Sequence, residues 1–343
     1  MAMPRHLLVL TLLAIIGAAR CATAVDSSLL EALKARGTPL ILRGDKHTAL
    51  RDPLIFREGD TFYLFFSYVR EEENSLIFWY VAFSKSKDLI NWTTPKAVTP
   101  KGQELNFSSP GNVVRVGDEW LMGAQTYPIA GFKRGDPLRF NDDRARLWLW
   151  HSRNLEEWGR RELIKVKGPS VDEVGLGKMI DPFLLRDRDV PGKWWCFFKQ
   201  AGWIHCSWSL DLKTWHVGPA NITRGENPQV FVDDGGEYVM IYAPANGIGV
   251  KRSRDLVHWR DEETLLLGQP GWPWCETRLT GGYVADFRAV SGVRRYLMVW
   301  HSMGPGRTKT DANVNANCHI GIAWSDDLKT WDWPGQLRPA PTR

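Results

Sequence analysis

Past its first residues this sequence has no long apolar run. The one such stretch, Leu7 to Ile16, is too short to cross a bilayer. Arg5 precedes it and the small residues Ala22-Thr23-Ala24 follow, the pattern of a secretory leader cut after Ala24. Residues 1–24 are therefore expected to be a signal peptide, and the mature chain to be secreted (extracellular or periplasmic) with no membrane span. Net charge is also low: +5 overall, and +3 without Arg5 and Arg20. Lys and Arg are scattered, which argues against nucleic acid as a partner. Cysteine is scarce. With Cys21 in the leader, Cys196, Cys206, Cys275 and Cys318 remain, and their spacing fits neither a zinc site nor a reactive Cys–His pair. An even number in an exported chain allows two disulfides, and Cys196 and Cys206 stand on strands joined by a turn near Ala201-Gly202. A cross-strand bridge and four buried free thiols are equal alternatives there. Helical periodicity is nearly absent, confined to Ser27-Ser28-Leu29-Leu30-Glu31-Ala32-Leu33.

Tryptophan is abundant, with 18 copies. Five of them end the motif S-x-[DN]-L-x-x-W, at Ser86–Trp92, Ser152–Trp158, Ser209–Trp215, Ser253–Trp259 and Ser325–Trp331. Asp or Asn suits a turn in which the side chain bonds nearby backbone, and Leu and Trp suit packing against the next unit. A second pattern opens the units: a polar residue beside Pro, a short apolar strand, a turn, then an aromatic strand. It occurs at Arg51-Asp52-Pro53, Ser109-Pro110, Ile180-Asp181-Pro182 and Glu226-Asn227-Pro228. The fifth opener lacks Pro, and Asp286 is placed in its slot. Repeats of this length with about four strands each predict an all-β fold, a five-bladed β-propeller with four-stranded blades, as one domain over residues 25–343. Its blades open near 52, 109, 181, 226 and 286.

First strands of propeller blades line the axis, so Asp52, Asp181 and Glu226 are expected to converge. Three like charges in one place repel, and at least one should keep its proton to higher pH than an isolated carboxyl. A protonated acid beside an ionised partner is what glycosidic bond hydrolysis requires. Arg51, Ser109, Asn227, Asp286 and Arg288 fall near the same axis as candidate substrate contacts. Trp203, Trp272 and Trp274 lie outside the repeated Trp slot and are candidates for stacking on sugar faces. His151 and His301, on strand runs, read as buried and hydrogen-bonded rather than catalytic. Asn91, Asn106 and Asn221 match the N-glycosylation pattern.

Arg-Asp-Pro, Ile-Asp-Pro and Glu-x-Pro in that order resemble the signature of glycoside hydrolase family 43, over about Leu40 to Trp331. The resemblance implies that Asp52 is the general base, Asp181 the carboxylate that tunes and orients, and Glu226 the general acid. It implies a carbohydrate substrate, an arabinofuranosidase-, xylosidase- or galactosidase-like inverting hydrolysis of plant- or algal-type glycans and no required cofactor; the chain is expected to be a monomer. Family members often carry a channel His in the fifth blade beside a metal ion. The candidate slots here are Asp286 and Arg288, which leaves a structural calcium ion on the axis open and assigns no metal ligand. The retaining, invertase-like fructosidases share the propeller, but their Asn-Asp-Pro-Asn-Gly is replaced by Arg51-Asp52-Pro53-Leu54-Ile55. A non-catalytic glycan-binding propeller is the alternative of another class.

Overall fold

The computed structural model describes residues 28–137, 142–262, 264–265, 267, 275, 279–304 and 317–336. The leader, Trp272 and Trp274 lie outside the described residues.

The expected helix is present at Ser28–Lys34, where Leu30 and Leu33 are buried and the Leu30 N–H donates to Gly292 O at 2.8 Å. The strands then come in antiparallel groups, so the all-β expectation is met. Thr48–Glu58, Thr61–Glu71, Ile77–Ser86 and Lys96–Ala97 pair in succession. Glu119–Thr126 pairs on one side with Phe107–Ser108 and Val113–Val116, and on the other with Arg146–Ser152, which carries Trp158–Leu163. Ile180–Arg186, Trp194–Gln200, Trp203–Ser209 and Trp215–Val217 follow, then Glu226–Val232, Tyr238–Ala243, Gly249–Ser253 and Trp259–Asp261. Leu279–Asp286, Tyr296–Met303 and Cys318–Ser325 form the last group. One parallel contact, Ala49 with Cys318, joins the last group to the first, so the described strands make four sheets, of eight, five, five and four strands.

The last group departs from the expectation of a short strand after its Trp. Asp332 makes only an isolated bridge to Trp324, and Leu40–Leu42, from the other end of the described chain, pairs with Cys318–Ser325 instead. The two ends are thereby held together by backbone bonds.

The core lies between groups rather than within them. Phe65 and Phe83 of the first group pack with Met122 and Trp150 of the second. Leu147 and Leu149 pack with Trp194 and Phe198, Phe197 with Met240, and Ile241 with Met298. Leu297 and Val299 of the last group return to Leu64 and Phe66 of the first. The five motif loops support these seams with one geometry. Their Leu residues all have a left-handed backbone (φ 61° to 68°). In the first loop Ser86 Oγ accepts the Leu89 N–H, Asp88 Oδ1 accepts from Ile90 and Asn91, and Trp92 Nε1 donates to Leu89 O at 3.1 Å.

The structure decides between the two alternatives left open for the cysteines, and removes one of the three glycosylation patterns. Cys196 and Cys206 do not bridge: Cys196 stands opposite Ser207 and Cys206 opposite Phe197, so the thiols point to opposite faces of the sheet, and all four described cysteines are free and buried. Burial pushes the Cys206 thiol up to about 12. Asn106 is wholly buried and accepts the Trp79 N–H at 3.0 Å, which withdraws that glycosylation pattern from solvent.

Candidate active site

Every group begins with the same irregularity. The first strand slips register against the second between Arg51 and Leu54, Ile180 and Phe183, Glu226 and Gln229, and Thr280 and Tyr283, and in the second group it is interrupted between Ser108 and Val113. In each slip one residue has a left-handed backbone: Asp52 (φ 48°), Ser109 (44°), Asp181 (58°), Asn227 (50°) and Gly281 (65°). Asp, Asn and Gly tolerate this conformation, and Pro, which follows four of the five, has no N–H for the ladder to lose. The slips aim these residues inward, and all five line one narrow channel.

This corrects the fifth opener. The slot of Asp52 and Asp181 is filled there by Gly281, not Asp286. Asp286 ends its strand opposite Tyr296, on the order of 16 Å further along at ~3.3 Å per residue. It ion-pairs with Arg288 at 2.6 Å, and Arg288 also reaches Asp234 at 2.5 Å. Asp286 lines the opposite mouth of the channel, so neither residue belongs to the site. Gly281 has a reason of its own: a Cβ there would stand 2.6 Å from His301 Nδ1. The fourth opener carries two site residues, Asn227 in the slot and Glu226 one position earlier.

The second strands supply a matching set. Opposite the residues that precede the slips stand Ser67, Gln125, Lys199 and His301. Ser67 Oγ donates to Asp52 Oδ2 at 2.8 Å, joined by Ser109 Oγ at 3.2 Å. Gln125 Oε1 accepts the Asp181 N–H at 2.6 Å, and Lys199 Nζ donates to Glu226 Oε2 at 2.6 Å. His301 Nδ1 accepts the Asp52 N–H at 3.1 Å. Asn227 ties the carboxylates together. Its Nδ2 donates to Asp52 Oδ1 at 3.2 Å and its backbone N–H to Asp181 Oδ2 at 3.1 Å.

The carboxyls are thereby driven apart in acidity. Burial opposes ionisation of Asp52, but the adjoining Arg51 guanidinium, then His301 and the Ser67 hydroxyl, outweigh it and hold the carboxyl below its ordinary value. Asp181 lacks such support. Burial, then repulsion from Glu226, raises it to about 7 against the pull of Lys199. Asp181 and Glu226 are thus electrostatically linked, and their mutual repulsion favours a proton on the pair to higher pH than on an isolated carboxyl.

Asp52, Asp181 and Glu226 line one pocket of about 220 Å³. Arg51, Ser109 and Asn227, the candidate substrate contacts, line it too. Trp203 does not: its ring lies under the Arg224 guanidinium, 4.5 Å away. The aromatic walls are instead Trp79 and Tyr127, packed edge to face at 5.6 Å. Sequence reasoning missed these two, together with Ser67, Gln125, Lys178 and Lys199. Ser67, Gln125 and Lys199 each follow an apolar second-strand run at the same register, a signal present in the sequence. Among the described residues, no group of three or more His, Cys, Asp or Glu side chains is spaced to hold a metal ion.

No protein-family model matches the chain, and no curated protein does. Solved structures share its fold. A xylan β-1,4-xylosidase from Bacillus halodurans C-125 superposes with a TM-score of 0.57 at 17% identity, over 87% of this chain and 56% of that one. An α-L-arabinanase from Cellvibrio cellulosa gives 0.56 at 16% identity, over 83% and 95%. An exo-β-1,3-galactanase from Clostridium thermocellum gives 0.58 at 18%, over 83% and 61%. The chain thus spans little more than half of the xylosidase. A thermostable family-43 glycoside hydrolase also matches, with a TM-score of 0.56 at 13% identity over 86% and 97%, so the fold is glycoside hydrolase family 43-like.

Proposed function

We propose that this chain is a secreted glycoside hydrolase acting on plant- or algal-type polysaccharides or their oligosaccharides, with its five groups as the blades of a propeller. Five equivalent slips around one channel, and seams that run from each group to the next and from last to first, support the propeller. The observation that carries the function is the shared pocket, where three carboxyls meet and burial and neighbours drive the acidities of Asp52 and Asp181 apart. Asp52, held ionised, activates a water. Glu226, the most exposed of the three at 21%, protonates the leaving oxygen. Asp181 repels charge on Glu226 and, through the Asn227 N–H, holds the segment that carries it. Inversion is the expected stereochemistry, and needs the base and acid ~6.5 to 9.5 Å apart so that a water fits. A xylosidase, an arabinanase and a galactanase among the structures of this fold favour such substrates.

The test is hydrolysis of aryl glycosides and plant oligosaccharides by wild type and Glu226→Gln, with the product anomer followed by NMR. Inverted product, and a variant slower by about 10² to 10⁴ on poor leaving groups, is expected. Retained configuration would turn Asp52 into a nucleophile. Binding of glycans with no cleavage would leave a lectin.

A further inference from the structure

One position recurs on the second strand of every group. Opposite the residue that precedes the slip stand Ser67, Gln125, Lys199, Ala243 and His301. Three of the five reach across a seam and capture the slip residue of a neighbouring group. Ser67 Oγ accepts the Ser109 N–H at 2.7 Å, Gln125 Oε1 the Asp181 N–H at 2.6 Å, and His301 Nδ1 the Asp52 N–H at 3.1 Å. The slips turn these backbone donors away from their own ladders, and a donor withdrawn from water needs an acceptor. A hydroxyl, an amide oxygen and a ring nitrogen can each supply one. An ammonium group cannot, because it has three donors and no acceptor. Lys199 therefore breaks the pattern. The Asn227 N–H, the donor that Lys199 faces by the same rule, goes instead to Asp181 Oδ2 at 3.1 Å. The ammonium bonds the residue before it, donating to Glu226 Oε2 at 2.6 Å.

We infer that Lys199 is the positioning residue for Glu226. A donor in the acceptor slot fixes the Glu226 carboxyl from a neighbouring group and leaves the Asn227 N–H to Asp181, so two carboxyls are tied to one segment. The kinetic consequences rest on the glycosidase reading, in which Glu226 is the acid; the placement does not. An acceptor at position 199 would close the fourth slip as Gln125 closes the third. It would take the Asn227 N–H, release Asp181 Oδ2 and remove the bond to Glu226. The ionisable groups that share the pocket with the Lys199–Glu226 pair are Arg51, Asp52, Tyr127, Lys178 and Asp181. With the Lys199 charge gone, Glu226 keeps Asp181 and Asp52 as neighbours, and its carboxyl then holds a proton to higher pH.

The experiment compares wild type with Lys199→Gln, Lys199→Met and Lys199→Arg, with folding checked by circular dichroism. Carbon-13 NMR follows the Glu226 carboxyl against pH, its signal assigned by its loss in Glu226→Gln. Expected is a midpoint about one pH unit higher in Lys199→Met and Lys199→Gln, and close to wild type in Lys199→Arg, which keeps a donor in the slot. A crystal structure of Lys199→Gln should show the introduced amide oxygen on the Asn227 N–H and Asp181 Oδ2 withdrawn from it. On aryl glycosides, kcat should fall roughly 10- to 100-fold for poor leaving groups and little for good ones, with partial rescue by Lys199→Arg. An unshifted midpoint in folded Lys199→Met, an Asn227 N–H still on Asp181 in Lys199→Gln, or an equal loss on all leaving groups would each overturn the inference. The titration and the crystal structure need no turnover, so the two readings fail separately. A wild type that cleaves nothing while the midpoint shifts removes the hydrolase and keeps the placement by Lys199. Cleavage by wild type with an unshifted midpoint does the reverse.

Discussion

Asn227 Nδ2 lies 3.2 Å from Asp52 Oδ1, a hydrogen bond between residues 175 apart in the chain. The same residue donates its backbone N–H to Asp181, so one asparagine links carboxylates from two other groups. Its left-handed backbone makes this double donation possible, because the side chain and the N–H then face the same channel.

Removing that side chain without straining the backbone requires glycine, which accepts a φ of 50° as readily as asparagine. Asn227→Gly is expected to fold normally and to lower kcat by about tenfold through loosened placement of Asp52, near 1.4 kcal/mol of barrier. Steady-state kinetics checks this. A kcat equal to wild type would make the Asn227 side chain incidental.

Asp181 carries a stability cost with a definite sign. Its folded pKa is raised to about 7 from 3.8, so between those values the native state binds more protons than the unfolded chain, and stability falls as pH rises through the interval. The cost is absent below pH 4 and complete above pH 7. Asp181→Asn should therefore raise the free energy of unfolding at pH 8, by up to roughly 4 kcal/mol, and change it little at pH 4. Calorimetry at the two pH values measures the difference, and an equal effect at both would remove the ionisation argument. The same variant should lose activity at every pH.

Gly281 combines a φ of 65° with a Cβ position 2.6 Å from the His301 ring. Gly281→Ala should destabilise by about 1–3 kcal/mol, from backbone strain and from displacement of a fully buried imidazole. Because His301 Nδ1 accepts the Asp52 N–H, the loss of activity should exceed what unfolding at the assay temperature explains. Denaturant titration beside kinetics separates the two effects.

The motif tryptophans are structural, but not equally so. Trp215 is 1% exposed in the seam between the second and third groups, whereas Trp92 is only partly buried. Trp215→Ala should cost about 3–5 kcal/mol, and Trp92→Ala clearly less. Urea midpoints of the two variants give the comparison, and reversal of the order would contradict the burial argument.

Much of this protein could be read from its residues in order. Five copies of S-x-[DN]-L-x-x-W state the turn chemistry locally, and the Asp or Asn of each copy accepts from backbone N–H groups two or three residues on. Asp-Pro and Asn-Pro mark the slips, because the left-handed backbone and the missing N–H are properties of those residues themselves. Local chemistry therefore determined the strand groups and the openers that carry Asp52, Asp181 and Glu226. What pairing registers decide was not local. Asp286 and Gly281 are equally near a fifth opener in the sequence, and only the ladder against Tyr296–Met303 assigns the inward position to Gly281. Cys196 and Cys206 are close along a hairpin, yet an offset of one residue sends their thiols to opposite faces. Lys199, Ser67 and Gln125 enter the site because the second strands stand in register with the slips, and Trp79 and Tyr127 because neighbouring groups pack side by side. Those contacts join residues from separate repeats, and it is the closure of the tertiary structure that brings them to one pocket.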